Sequence, residues 1–467
     1  MPRAGPGPGR YHVIRFTPPG PRPLSPVIAL LRTALLADGD LLGLMPADAY
    51  RVPIGPLGYS RRQILIVNAP ELVRTVLADA DGIFPKNDLM TGALVPLVGD
   101  AMFVSSGELW RRQRAMVDPA FSHMRISRAF DSMAAAVDDY EVCLDALARS
   151  GAPLEIDAGM SHLTADVICR TIFTSPLGSA ASRDVFEAFD LFERRIAHVD
   201  LKRLILGRAF DEIPHDADVL DACATIRRRL GEFLDPRLDG SVTRDDICGA
   251  IVAARDADSG EGFDREALID QLGVFFLAGH ETTASVLTWV MTLLSCWPEL
   301  AEAMRAEVDA VVGDGPVGFE HTKALPFVRA VFRETARLYP PITFIPRVAA
   351  RATELGGRRV RRGAMVMISP WTIHRHRDLW SRPDEFDPAR FMPGAETTIV
   401  PGSYIPFGHG PRLCIGAAFA TVESTLILAR LVRRYRFERV GDGDIRPVAR
   451  LTTRPRDEIR LRVSRRR

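Results

Sequence analysis

Phe407-Gly408-His409-Gly410-Pro411-Arg412-Leu413-Cys414-Ile415-Gly416, running on into AAFATVESTLILARLV, carries the strongest structural signal in the chain. A lone cysteine is ordinarily an inert small hydrophobe. This one stands at the end of a tight loop. Gly408, Gly410 and Pro411 bring backbone amides toward one point, and Gly416 opens a helix whose positive dipole end faces Cys414. Amide donors and a helix amino terminus both favour a thiolate over a thiol. Arg412, two residues earlier, is placed to meet an anion on the same face. His409 flanks the loop and does not read as a ligand.

Working outward, the next informative stretch begins near Asp264 and runs through LIDQLGVFFLAGHETTASVLTWVMTLLSCW to Pro298. Its roughly 30 residues make a helix about 45 Å long. Being apolar nearly all round, it is buried. A transmembrane reading would put Asp270, His280, Glu281, Thr282 and Thr283 in hydrocarbon, at high cost. His280-Glu281 begins an HExxH zinc motif, but Ala284 stands where the second histidine belongs. An isolated mid-helix threonine usually bonds back to the preceding turn. An acid beside two threonines in so apolar a segment asks for more.

FxxGxRxCxG is the haem-binding signature of the cytochromes P450, and this chain resembles that family in all five fixed residues. A chance match at this length is on the order of one in ten thousand. The resemblance implies that Cys414 is the axial ligand of haem b, iron protoporphyrin IX, its thiolate pushing electron density onto the iron. Arg412 would pair with a haem propionate, while Phe407, Gly408, Gly410 and Gly416 shape the shield around the sulfur. Ala278 to Thr283 matches the family's AGx[DE]T[TS] motif. There Ala278 and Gly279 allow local opening of the helix against haem, Thr282 hydrogen-bonds dioxygen, and Glu281 helps deliver protons. Splitting dioxygen needs two protons in a water-poor site, and a hydroxyl with a carboxylate can relay them.

Other pairs gain meaning only through the same resemblance. Glu334 and Arg337 in VFRETARLYPP share a helical face at a spacing that alone suggests a weak surface ion pair. In the family they are the ExxR pair, completed by Arg390 in Pro388-Ala389-Arg390-Phe391, a structural network bracing the haem loop. Trp110 and Arg114 at i and i+4 alone suggest a solvated basic helix. The family sets them against haem propionates, with Arg347 of PPITFIPR as a further propionate ligand. His374, followed by Arg375, matches another haem-side position loosely. These matches run from Trp110 to Gly416.

At 467 residues the chain is long enough for a deep core, and 47% hydrophobic with 25% charged residues is ordinary globular composition. A net charge of +1 gives no argument for nucleic acid. Bases are overwhelmingly arginine, with Lys86, Lys202 and Lys323 the lysines, which reads as a bacterial coding bias. Six cysteines without a CxxC pair argue against a disulfide framework or zinc site and suggest a reducing cytoplasm. Residues 1–24 form a Pro/Gly-rich arm without the apolar stretch of a secretory signal. Val27 to Leu36 is interrupted by Arg32 and falls short of the ~20 residues that cross a bilayer. No transmembrane anchor is expected. Residues 25–467 read as a single domain, with a hairpin between Tyr50 and Asn68 and helices broken at Pro153, Pro176, Pro214, Pro236 and Pro298. The fold expected is mainly α with small β-sheets, the cytochrome P450 fold, with haem buried between the long central helix and the Cys-loop helix.

The function expected is that of a haem-thiolate monooxygenase of EC 1.14 type, inserting one oxygen atom from dioxygen into a lipid, terpenoid, steroid or aromatic molecule. Leu94, Val95, Phe275, Ile342 and Phe344 are candidate pocket residues, with Leu89, Met90, the region from Ile196 to Phe210, Leu451 and Thr452 beside them. Because the chain ends soon after the haem loop, electrons from NAD(P)H are expected through a separate ferredoxin or flavodoxin and its reductase, docking near Arg111 and Arg112. A monomer is expected. Two alternatives stand: a peroxide-driven peroxygenase, and a haem sensor or carrier that oxidises nothing.

Overall fold

The computed structural model describes residues 14–21, 23–25, 28, 42–57, 60–86, 88–196 and 215–466. Its described helices are α1 (Pro70–Ala78), α2 (Asp88–Val98), α3 (Gly107–Val117), α4 (His123–Ser150), α5 (Ile156–Ile172), α6 (Ala180–Ile196) and α7 (Ala217–Leu238). They continue with α8 (Ile247–Val252), α9 (Arg265–Cys296), α10 (Pro298–Val312), α11 (His321–Ala324), α12 (Pro326–Leu338), α13 (Pro370–Ile373) and α14 (Ala417–Arg434). The described strands are β1 (Ile54–Pro56), β2 (Ile64–Val67), β3 (Leu154–Glu155), β4 (Ile345–Val348), β5 (Thr353–Leu355) and β6 (Arg358–Val360). After them come β7 (Met365–Ile368), β8 (Tyr435–Val440), β9 (Pro447–Ala449), β10 (Thr453–Pro455) and β11 (Arg460–Arg465).

Helix α9 is the organising element. Asp264 caps it, its side chain accepting from Ala267 N, and Pro298 starts α10 after a bend of 109°. Its 32 residues span about 48 Å. From Leu268 to Leu294 it is buried on nearly every side, because α5 packs along it and α2, α7, α12 and α14 close the rest. Among the described residues no single helix is long and apolar enough to cross a membrane.

The hairpin is present: β1 pairs antiparallel with β2, matching Ile54 with Val67. The rest of this sheet is not evident from the order of the chain. Strand β2 runs parallel to β7, which pairs antiparallel with β4. Ile54, Leu65, Val67, Val366 and Ile368 form a separate core against Val73 and Val76 of α1. Arg347 is thereby fixed on β4. At the carboxyl end, β9 and β10 form a ribbon that reaches α9, where Thr453 O accepts from Ser285 Oγ and Trp289 Nε1.

One expectation is corrected. Pro236 does not break a helix: it lies in the last turn of α7, which ends two residues later at Leu238, so the one amide bond it forfeits falls where the helix is already ending. Pro153 and Pro176 do fall between helices, and Pro214 lies outside the described residues. Within the amino-terminal arm, residues 14–21 pack against the body. Phe16 stacks on Trp297 with centroids 3.7 Å apart and on Phe386 at 4.9 Å, and its carbonyl accepts from Phe386 N. Arg15 pairs with Asp387 at 2.8 Å, and Tyr339 Oη donates to Pro19 O. Most of Val27 to Leu36 lies outside the described residues.

Phe16→Ala should therefore lower unfolding free energy by about 2–3 kcal/mol, from lost burial and stacking. Denaturant titration of the two proteins measures it.

Candidate haem-binding active site

The loop before α14 has the geometry its glycines suggest. Gly408 and Gly410 take φ values of +76° and +72°, the left-handed region that glycine enters freely. Cys414 N donates to Phe407 O at 2.9 Å and Leu413 N to Gly410 O at 3.0 Å, closing the loop. Gly416 is the N-cap of α14. Cys414 keeps exposed surface although protein packs around its thiol. Burial pushes its thiol up, while the Gly416 amide and the Arg114 charge pull down, and burial prevails. This corrects the expectation from the loop alone. Amides and dipole temper the sulfur, but a thiolate there needs a metal cation facing it.

Three cations converge nearby. Lys86 and Arg347 form an isolated β-bridge, and Arg412 acts on both electrostatically. Burial, reinforced by Arg412 and Arg347, holds Lys86 well below its ordinary value. Burial takes Arg347 to about 10, and burial with Arg347 takes Arg412 to about 10. Asp79 offers both arginines some relief, yet among the described residues none of the three cations forms an ion pair. Arg412 instead lies over the Trp110 ring at 4.2 Å and donates to Ser105 O. Sequence reasoning missed Lys86. Its signal was that a lysine survives in a chain that otherwise uses arginine.

Arg114 has partners inside the chain. Its Nε donates to Asp118 at 2.6 Å and its Nη1 to Leu413 O at 2.8 Å, tying α3 to the cysteine loop. Arg112 is paired with Asp256 and Glu261, so of the two candidate docking arginines only Arg111 stays exposed and unpaired among the described residues.

On α9, Ala278, Gly279 and Thr282 are partly open along an otherwise buried helix, at one-turn spacing. Thr282 Oγ1 donates to Ala278 O at 2.7 Å. Gly279 serves packing: a Cβ there would stand 2.5 Å from Ile168 Cδ1, so its absence lets α5 approach. Glu281 points into a buried network. Its carboxylate accepts from Thr452 Oγ1 at 2.5 Å, from Arg454 Nε at 3.0 Å and from Arg454 Nη2, while Arg454 Nη1 also pairs with Asp157 at 2.5 Å. Burial pushes Glu281 up, but the Arg454 guanidinium outweighs it and keeps the carboxyl below its ordinary value. Thr452, expected to line the pocket, is a ligand of the acid, and Arg454 was not anticipated. On the α14 side Glu423 is wholly buried beside Thr283 and is held well above the carboxylate range by that burial.

Glu334 and Arg337 have no exposed side-chain surface and join through Nε–Oε2 at 2.7 Å and Nη2–Oε1 at 2.8 Å. Arg337 donates further to His374 O, Pro383 O and Glu385 O, and Glu334 Oε1 accepts from Asp387 N. Arg390 is the outlying member, 3.4 Å from Glu334 and bonded mainly to Arg382 O. His374 is not turned to a cofactor. Its Nδ1 meets Arg337 O at 3.0 Å and its Nε2 accepts from Ile405 N at 2.8 Å, two residues before Phe407. Arg375 lies buried over Trp371, with its charge centre 3.6 Å from the ring.

Of the pocket candidates, Ile342 and Phe344 are partly open, Val95 is 45% exposed, and Leu94 is buried. Phe275 is core, tilted against Phe121 at 5.1 Å. The side chains of Leu89 and Met90, and most of the region from Ile196 to Phe210, lie outside the described residues.

These residues fit a haem. The Cys414 sulfur on its glycine loop can face a metal, and one buried and two half-buried cations without ion pairs among the described residues suit an anion such as a propionate.

Glu334→Ala would leave Arg337 buried and uncompensated. It should cost about 3–5 kcal/mol and lower the haem-to-protein ratio on purification. His374 is held neutral: burial, then the Arg337 charge, takes it from 6.5 to about 3. The native state therefore refuses a proton that the unfolded chain accepts. This contribution to stability is complete above 6.5 and drains away as pH falls toward about 3. Urea midpoints across that window should fall more steeply for the wild type than for His374→Gln.

A family model described as Cytochrome P450 matches residues 18–462. Cyclooctatin synthase of Streptomyces melanosporofaciens is 31% identical over 451 residues, covering 94% of each chain. Cyclooctat-9-en-7-ol 5-monooxygenase of the same organism is 31% identical, covering 91% of this chain and 90% of its own. Among solved structures, a cytochrome P450, CYP102L1, matches at a TM-score of 0.73 and 25% identity, over 86% of this chain and 89% of that one. Similarity that spans nearly the whole of both partners leaves one conclusion: the chain belongs to the cytochrome P450 family and is a haem-thiolate monooxygenase of hydrophobic substrates, using haem b and electrons drawn from NAD(P)H through redox partners.

Proposed function

We propose that this monooxygenase oxidises a terpenoid, with Cys414 as the iron ligand and Thr282 and Glu281 as the groups that manage protons. The observation that carries the reading is the Cys414 sulfur on its glycine loop, with three cations that form no ion pair among the described residues. When bound, haem supplies the iron that activates dioxygen, so that one oxygen atom enters the substrate and the other leaves as water. The chain's residues do the rest. Lys86, Arg347 and Arg412 would hold the propionates of a bound haem and so fix its orientation. The Gly416 amide and Arg114 moderate electron density on the sulfur.

The buried flanks of α9 keep bulk water from the partly open stripe at Ala278 and Thr282. Thr282 has a hydroxyl proton to offer there, and Glu281, kept ionised by Arg454, has a lone pair to receive one. Such a pair has no task in a haem carrier. Ile342 and Phe344 supply apolar surface for a substrate. The terpenoid assignment leans on the relative named for 5-monooxygenation of cyclooctat-9-en-7-ol. A ferredoxin or flavodoxin with its reductase is the electron source, and Arg111 on α3 is exposed to meet an acidic donor. Six free cysteines suit a reducing cytoplasm, where the protein works as a monomer.

The test is the spectrum of the reduced, carbon-monoxide-bound protein. Wild type should show the long-wavelength Soret band of a thiolate ligand, and Cys414→Ser should lose it. Absorbance unchanged by that substitution would overturn the ligand assignment, and a panel of cyclic terpenes that leaves the iron spin state unmoved would overturn the substrate class.

A further inference from the structure

His280 and Glu281 look in sequence like half of a metal site without its second ligand. The fold supplies a third donor from elsewhere. Glu193 of α6 places Oε1 3.6 Å from His280 Nε2. Donor atoms of Glu193, His280 and Glu281 all lie within 4.8 Å of one another. Their side chains are 18%, 3% and 6% exposed.

Charge and hydrogen-bonding capacity decide what fills that space. His280 Nδ1 lies 2.9 Å from Phe276 O, and a carbonyl only accepts, so Nδ1 carries the hydrogen. Burial keeps the ring neutral, which leaves Nε2 as a lone pair facing Glu193. Glu281 presents an ionised carboxylate, held so by Arg454 of β10. Glu193 therefore faces two acceptors, and its own buried Oε1 has no hydrogen-bond partner. One hydrogen on Glu193 resolves the conflict. A divalent cation would also satisfy these donors, but it would sit against the Arg454 guanidinium, which already compensates Glu281 and Asp157 of α5. Arg454 also faces Glu193 and favours its ionised form, while Asp190, one turn earlier on α6, favours the protonated one. Burial first, then the Glu281 charge, holds Glu193 well above the carboxylate range.

We propose that Glu193 holds a proton between His280 Nε2 and the Glu281 carboxylate, and passes it to Glu281 to recharge the acid beside Thr282. In the step, the O–H bond on Glu193 breaks as one forms on Glu281. The electron pair stays on Glu193, which takes its next proton from water at its partly exposed edge. Glu193 touches neither cofactor nor substrate and is a positioning residue acting through Glu281. The inference rests on the reading of Glu281 and Thr282 given under the proposed function.

Infrared spectroscopy of the haem-loaded protein tests it without turnover. At neutral pH a protonated-carboxyl C=O band should disappear in Glu193→Gln and return, shifted, in Glu193→Asp. A second such band, from Glu423, should persist in all three proteins as a control. In turnover, Glu193→Gln should lower product formed per electron by about tenfold, diverting the remainder to hydrogen peroxide, with Glu193→Asp restoring most of it. A band indifferent to Glu193→Gln sinks the proposal, as does stoichiometric divalent metal in wild type that this substitution removes. Failure of the parent reading shows separately: coupling left unchanged by Glu281→Gln would remove Glu281 from proton handling, whatever the Glu193 band does.

Discussion

A guanidinium without exposed surface is tolerable only if every donor finds an acceptor, and Arg337 meets that condition in full. Its N–H groups reach both oxygens of Glu334 and the carbonyls of His374, Pro383 and Glu385. Those acceptors come from three parts of the chain that sequence keeps apart. His374 then extends the brace, through Ile405 N, to the residue pair before Phe407. The cysteine loop is thus suspended from a buried ion pair by a neutral imidazole. Even the amino-terminal arm ends on the same bracket, since Arg15 pairs with Asp387, whose amide bonds Glu334.

Saturated and unsaturated polar groups divide this interior by role. Arg337 and His374 have their partners inside the chain, so nothing further is required of them. Lys86, Arg347 and Arg412 reach backbone carbonyls, of Met102, Pro346 and Ser105, and form no ion pair among the described residues, and burial has lowered all three below their ordinary values. Three neighbouring like charges with so little compensation are placed to receive an anion. The same logic singles out the sulfur of Cys414, which burial would keep as a thiol until a metal faces it, and Glu193, whose buried oxygen lacks a donor.

Helix α9 lets packing and chemistry share one segment. Its apolar length secures the core, and the same burial makes Glu281 and Thr282 potent by excluding water. Gly279 illustrates how roles are shared: it yields room to Ile168 of α5 and, with Ala278 and Thr282, belongs to the partly open stripe along the helix.

Much of this was legible in residues alone. The cysteine loop, the capped buried helix and the Glu334–Arg337 spacing are local patterns, fixed by glycine torsions, apolar periodicity and helical geometry, so sequence by itself determined them. Contacts between distant segments were not legible, because nothing in a linear pattern states which elements meet. Tertiary structure alone decided that Arg454 and Thr452 clamp Glu281, that Lys86 joins Arg347 and Arg412, and that Glu193 faces His280. It also gave His374 and Arg114 partners within the chain that no motif announces, since buried or half-buried polar groups take whatever complementary group the fold brings within reach.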